Sequence, residues 1–413
     1  MFKKAVLLLS VILFAISCEE QPLQRPLMEY VMSNPAQSGS RYPHFYKDNS
    51  GRLYMSWMTI IEEEIFALQY STYKNGRWTE PQTVQIDMNF FVNWADFPSV
   101  VGLNGTELAA HRLRKIQGGP YAYNVELSFY NEADGGSWGE GITPHQDGTA
   151  TEHGFVSLEP IDSDKVLAVW LDGRETEDRA DDEYADTSKS MTLRSAEVSR
   201  SGEIINKQVI DHTVCDCCPT DLAKTDEGYV TVYRGRSADE IRDIKIARYN
   251  SESGNWSDPV TVHDDNWKIM ACPVNGPSVS STGNSVAVAW YTAENDNPRI
   301  LLARSTDSGR TFSEPIQVNN TDYRILGRTD LTMSEDGTIY VSWMQEFEGL
   351  GYVMMREIHP DETMSAPQTV GITDSSRASG FPQISLIDNS LLLAWTQTKP
   401  ILRIRTAKID LSQ

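Results

Sequence analysis

Residues Asn275–Trp290, NGPSVSSTGNSVAVAW, decide the fold. A small lead-in triplet opens a short strand, Thr-Gly-Asn turns the chain, and a second strand alternates apolar residues up to a tryptophan. Alternation at period two, broken by a Gly/Asn turn, is the pattern of a β-hairpin with one face on a core. The pattern recurs along the chain. Its lead-in triplets are Arg41-Tyr42-Pro43, Asp96-Phe97-Pro98, Gly154-Phe155-Val156, Cys217-Cys218-Pro219, Asn275-Gly276-Pro277, Arg328-Thr329-Asp330 and Gly380-Phe381-Pro382. Its closing positions are Trp57, His111, Trp170, Tyr233, Trp290, Trp343 and Trp395, always 13 or 14 residues after the triplet. Two further strands complete each unit, the fourth seen best in WSDPVTV (256–262) and FSEPIQV (312–318). Units of four strands at a spacing of 52 to 63 residues, with no helix-length amphipathic run between, are the signature of propeller blades. The expected fold is all-β, a single seven-bladed β-propeller of four-stranded blades. The last unit stops after Ile401–Ile409, and Arg25–Val31 is expected to supply its fourth strand and close the ring.

Outward from the repeat, the 413 residues leave one domain, 25–413, and a leader. Lys3 and Lys4 precede an apolar run, Ala5–Ile16, too short to span a bilayer. The small residue before Cys18 resembles the lipobox of bacterial lipoproteins. That resemblance implies a signal peptide at 1–17, a lipidated Cys18 and a tether at 18–24. The protein would then sit in the bacterial cell envelope, on the periplasmic side of the outer membrane or on the cell surface, touching membrane through its lipid alone. A net charge of −22 disfavours nucleic acid as a partner, and the chain is read as a monomer.

Ser305–Phe312, STDSGRTF, matches the Asp-box turn S-x-D-x-G-x-T-F, and STYKNGRW (71–78) and NSESGNW (250–256) are worn copies. The chain thus resembles the sialidase superfamily of BNR-repeat proteins. Ser40-Arg41-Tyr42-Pro43 is similar to that family's Arg-Ile-Pro start, whose arginine grips a substrate carboxylate. Sialidases are mostly six-bladed, whereas seven units are counted here. Their tyrosine nucleophile and glutamate partner cannot be placed by motif. The segments CDCC (215–218) and CPVNGP (272–277) look like those of a sialidase-like lipoprotein subgroup.

Each inner strand begins where the second strand ends, so the lead-in loop and the loop leaving the second strand share one face. Arg41, Asp96, His153, Asn275, Arg328 and Arg377 gather there, with His111, Arg174, Arg234 and Arg236. Arginines collecting on an acidic protein point to a carbohydrate or small anionic ligand held by bidentate contacts. One reading is sialidase-type glycoside hydrolysis. Arg41, Arg234 or Arg236, and Arg328 would clamp a carboxylate, Asp96 would be acid/base, and Tyr233 would stabilise the oxocarbenium-like state. A second is a polysaccharide lyase acting on uronates, with His111 or His153 as base. The plainer alternative for each arginine is a salt bridge tying blades, made with residues such as Asp239, Glu240 and Asp243 in RSADEIRD (236–243).

Cysteine adds another class. Cys215, Cys217 and Cys218 lie within four residues, and Cys272 occupies a similar place in the next unit. They are read as structural disulfides between blades four and five or as a thiolate site for zinc or copper, completed by His212 or His153. The competing function is therefore a non-catalytic surface binding module built round either device.

Overall fold

The computed structural model describes residues 30–104, 107–132, 135–180, 186–319 and 323–412. The leader, Cys18, the tether and residues 25–29 lie outside them.

Seven antiparallel sheets follow one another round an axis, each of four strands in spatial order with short additions in blades 1 and 4. The innermost strands are Ser40–Lys47, Ser99–Asn104, His153–Pro160, Asp221–Thr225, Ser278–Thr282, Arg324–Met333 and Gln383–Ile387. Blade 7 takes its outer strand from the N-terminal segment: Val31 pairs with Ala407 and Met32 with Thr406. Asn34 Nδ2 donates to Ile404 O at 3.1 Å, and Tyr30 packs on the blade 7 core.

The alternation read from Asn275–Trp290 explains how blades fit. Val286, Val288 and Trp290 enter the core shared with blade 4. Ala287 and Ala289 face blade 6, where their small side chains admit Trp343. Trp57, Trp170, Trp290 and Trp343 are fully buried. Their indole N–H groups are satisfied by Thr59, Asp172, Asp265 and Gln345. Trp395 lies over Gly371, where a Cβ would stand 2.4 Å from the ring.

Side chains also stitch inner strands together. Asp96 accepts the Phe155 N–H at 2.8 Å, Asp221 that of Val279 at 2.7 Å, and Asp330 that of Ile384 at 2.8 Å. Bulges interrupt the inner strands of blades 1, 3 and 6 at matching places. Tyr42 (φ 57°), Phe155 (φ 53°) and Arg328 (φ 55°) each take the left-handed conformation there. The triplet of blade 6 is accordingly Gly327-Arg328-Thr329, one residue earlier than the sequence alignment sets it.

Candidate functional site

Lead-in loops of several blades meet over the axis. Ala95, Phe97, Phe155, Cys217, Val274 and Phe381 belong to one apolar cluster drawn from blades 2, 3, 4, 5 and 7. Trp94 stacks on Phe381 with ring centroids 5.7 Å apart. This plug closes the lead-in end of the channel. A cavity of about 1300 Å³ lies on its other side, along the inner strands and out to the turns Asn49–Gly51, Glu335–Asp336 and Asp388–Asn389. Its walls are rich in hydroxyls and carboxylates, and no arginine is among its described lining residues.

Most of the expected arginines already have protein partners. Arg234 is buried and donates to the carbonyls of Asn275, Arg242 and Tyr291 at 2.9, 2.6 and 2.6 Å. Arg236, equally buried, forms a fork on Glu240 and lies 3.6 Å from Asp216. Arg174 grips Asp172 through Nε and Nη2 and reaches Asp147 at 3.2 Å. Arg41 lies over the rings of Tyr42 and Phe66, and its buried Nε has no hydrogen-bond partner among the described residues.

Arg328 and Arg377 differ from these. Arg328 is buried and donates to Ser379 Oγ, Gly380 O and Ser376 O at 2.7, 3.1 and 3.0 Å. Its guanidinium carbon stands 5.0 Å from the Trp94 ring centre, and that of exposed Arg377 stands 5.7 Å from the same ring. Neither forms an ion pair with a described residue. Burial and the neighbouring Arg377 push Arg328 down to about 10. Two cations thus share one half-buried indole, with Asp374 acting on Arg328 through its charge but not in an ion pair. Asn275 supports them: its Oδ1 accepts the Arg328 N–H at 2.7 Å.

The structure places Asp96 in a buried acid cluster that sequence reasoning missed in part. Tyr123 Oη reaches Asp96 Oδ2 at 2.7 Å and Glu152 Oε1 at 2.8 Å. Burial lifts Asp96 to about 7 and Glu152 to about 8. These are the group types that glycoside cleavage uses. Yet Tyr123 is 0% and Asp96 2% exposed, and Phe91 stacks on the tyrosine ring at 3.9 Å. A Cβ on Gly154 would lie 1.9 Å from Asp96 Oδ2, so the backbone of blade 3 walls the acid in. Tyr233 is also fully buried and donates to Asp211 at 2.8 Å.

The histidines separate. His111 is buried against Ser99 Oγ at 2.8 Å, and burial together with His44 pushes it down to about 3, too weakly basic for proton abstraction near neutrality. His153 stacks on His145 at 3.8 Å, and Asp147 Oδ2 lies 3.1 and 3.0 Å from their ring nitrogens. Burial pushes the Asp147 carboxyl up, but hydrogen bonds from His145, His153 and Thr149 outweigh it and hold the group well below the usual range. These three residues form one potential cation cluster and the cysteines another. His212 is exposed and belongs to neither.

No disulfide joins Cys215, Cys217, Cys218 and Cys272. Cys215 Sγ lies 3.2 Å from Cys218 Sγ and 4.0 Å from Cys217 Sγ. Cys217 in turn bonds Cys272 from the approach to blade 5. Arg242 Nη1 donates to Cys215 Sγ at 3.2 Å. Burial raises the Cys215 thiol, but its hydrogen bonds with Cys217 and Cys218 and the charges of Arg242 and Arg234 prevail and hold it well below the usual thiol range. Arg242, Tyr123, Glu152, His145 and Asp147 were not singled out from sequence. Only Arg242 had a signal there, since it follows Glu240 in the loop read as a source of salt bridges.

Residues 228–404 match the family described as BNR repeat-like domain. A search of curated proteins finds no match. Among solved structures, the polysaccharide lyase Uly1 is similar at 11% identity and a TM-score of 0.50, over 95% of this chain and 94% of that one. A puromycin-hydrolyzing peptidase of Mycobacterium tuberculosis matches at 10% identity and a TM-score of 0.50, over 94% of this chain and 55% of that one. A mutant NanB sialidase of Streptococcus pneumoniae matches at 10% identity and a TM-score of 0.48, over 94% and 72%. At such identities the likeness is one of fold. The chain is a seven-bladed propeller whose residues 228–404 match the BNR repeat-like domain.

Proposed function

We propose that this protein is a non-catalytic binding module of the bacterial cell envelope, anchored through Cys18, that takes an acidic carbohydrate on its lead-in face. The observation that carries this reading is the pairing of Arg328 and Arg377 over Trp94 without an ion pair to a described residue. An indole offers a flat apolar platform to a sugar ring, and guanidinium groups suit its carboxylate. The burial of Asp96 and Tyr123, at 2% and 0% exposed, weighs against turnover on the lead-in face. The fold likeness to a lyase and to a sialidase does not carry their chemistry.

The test is titration calorimetry with sialyl and uronate oligosaccharides at low salt, alongside a turnover assay on the same sugars. Binding should weaken at least tenfold in Arg377→Ala, an exposed position whose loss leaves the fold intact, and should fall as salt rises. Undiminished binding in that variant removes the proposed site. Turnover that disappears in Asp96→Asn establishes the hydrolase or lyase reading instead.

A further inference from the structure

We infer that Cys215, Cys217, Cys218 and Cys272 form a thiolate site for a soft closed-shell cation, zinc or cuprous ion, bridging blades 4 and 5. The inference does not depend on the ligand proposed above.

Three sulfurs of one loop cluster without a disulfide between them, and Cys272 from a second loop reaches the cluster through Cys217. The Sγ atoms of Cys215, Cys217 and Cys218 all lie within 4.8 Å of one another. A zinc–sulfur bond of about 2.3 Å in a tetrahedron gives sulfur–sulfur edges of about 3.8 Å. The measured separations of 3.2 and 4.0 Å bracket that edge. Cys217 bonds Cys215, Cys218 and Cys272, so it joins the fourth sulfur to the set. Weak S–H donors facing one another gain little, whereas a shared cation satisfies all four at once.

The surroundings separate this reading from a pair of disulfides. Arg242 is 0% exposed, and its Nη1 points at Cys215 Sγ. A thiolate accepts that charged hydrogen bond more strongly than a disulfide sulfur does. Cys215 and Cys218 are buried, and Cys272 is exposed. The exposed sulfur gives the ion its way in.

The test uses the purified chain prepared without oxygen, stripped by chelator and reloaded with Co²⁺, Zn²⁺ or Cu⁺ separately. Co²⁺ should bind once per chain and show the intense sulfur charge-transfer and tetrahedral ligand-field bands of a thiolate site. Zn²⁺ or Cu⁺ should displace it and protect the four cysteines from alkylation, the tighter of the two naming the native ion. Cys272→Ser, at an exposed loop position, should bind at least tenfold more weakly with altered bands while keeping the parent's circular dichroism. Peptide mapping without reduction that finds Cys215, Cys217, Cys218 and Cys272 joined in disulfides overturns the inference. So does Co²⁺ binding without the charge-transfer bands, or bands unchanged by Cys272→Ser.

Discussion

Arg328 shows how one residue position can hold both strain and charge. Its φ of 55° is the left-handed conformation, which costs a non-glycine residue about 1–3 kcal/mol. Tyr42 and Phe155 share that conformation at matching bulges, so the strain belongs to the blade design and Arg328 borrows it to aim its side chain at Trp94. Two residues on, Asp330 illustrates a titration built into the same inner strand. Burial lifts its carboxyl from the ordinary carboxylate range to about 7. The folded chain therefore holds a proton that the unfolded chain has released between about pH 4 and 7, and the stability this gives is lost as pH rises through 7. Asp330→Asn cannot titrate. Its melting temperature relative to the parent should shift in the variant's favour by on the order of 2 °C between pH 5 and 8. Scanning calorimetry at both pH values checks this, and a difference that stays flat refutes it.

At the scale of the blade, the closing tryptophan is the piece that seats one sheet on the previous one. Trp343 is 0% exposed among Ala287, Ala289 and Leu302 of blade 5. Its replacement by alanine should cost about 3–5 kcal/mol, read as a lower denaturant midpoint. This element was legible in the sequence, because alternation and turn residues are local properties. The one-residue error in blade 6 has a physical cause: a bulge inserts backbone without changing the alternation that follows it. His111 was legible only as an exception. Its ring fills the tryptophan position of blade 2, and its isolation from water, invisible in sequence, removes it as a base.

For the whole molecule, ring closure rests on a short pairing of Val31–Met32 with the strand Arg403–Asp410. A chain beginning at Ser33 should expose that strand's edge. It should melt several degrees lower and self-associate, as light scattering and sedimentation would report. A truncated chain that remains monomeric and equally stable would show that the first strand is dispensable. The face on which a ligand can bind is likewise a property of the whole ring. Sequence reasoning assigned an open channel mouth to the lead-in loops, whereas Phe97, Phe155, Phe381 and Trp94 close it from several blades at once. The open cavity lies at the opposite end, among the turns.

The sequence by itself determined the all-β repeat, the number of blades, the closing of the ring by an N-terminal strand, and the equal places of Cys272 and the CDCC segment in neighbouring units. All of these follow from periodicity and from equal positions in neighbouring units. Only the tertiary structure decided which charged groups are free to act. Arg234 and Arg236 became internal fasteners, Arg328 and Arg377 formed no ion pair with a described residue, Asp96 was buried against Gly154, and Arg242 came to rest on Cys215. The reason is that a side chain's partner lies across a blade boundary and dozens of residues away. Local pattern fixes the direction of a side chain along its strand, and the packing of the neighbouring blade fixes what it meets.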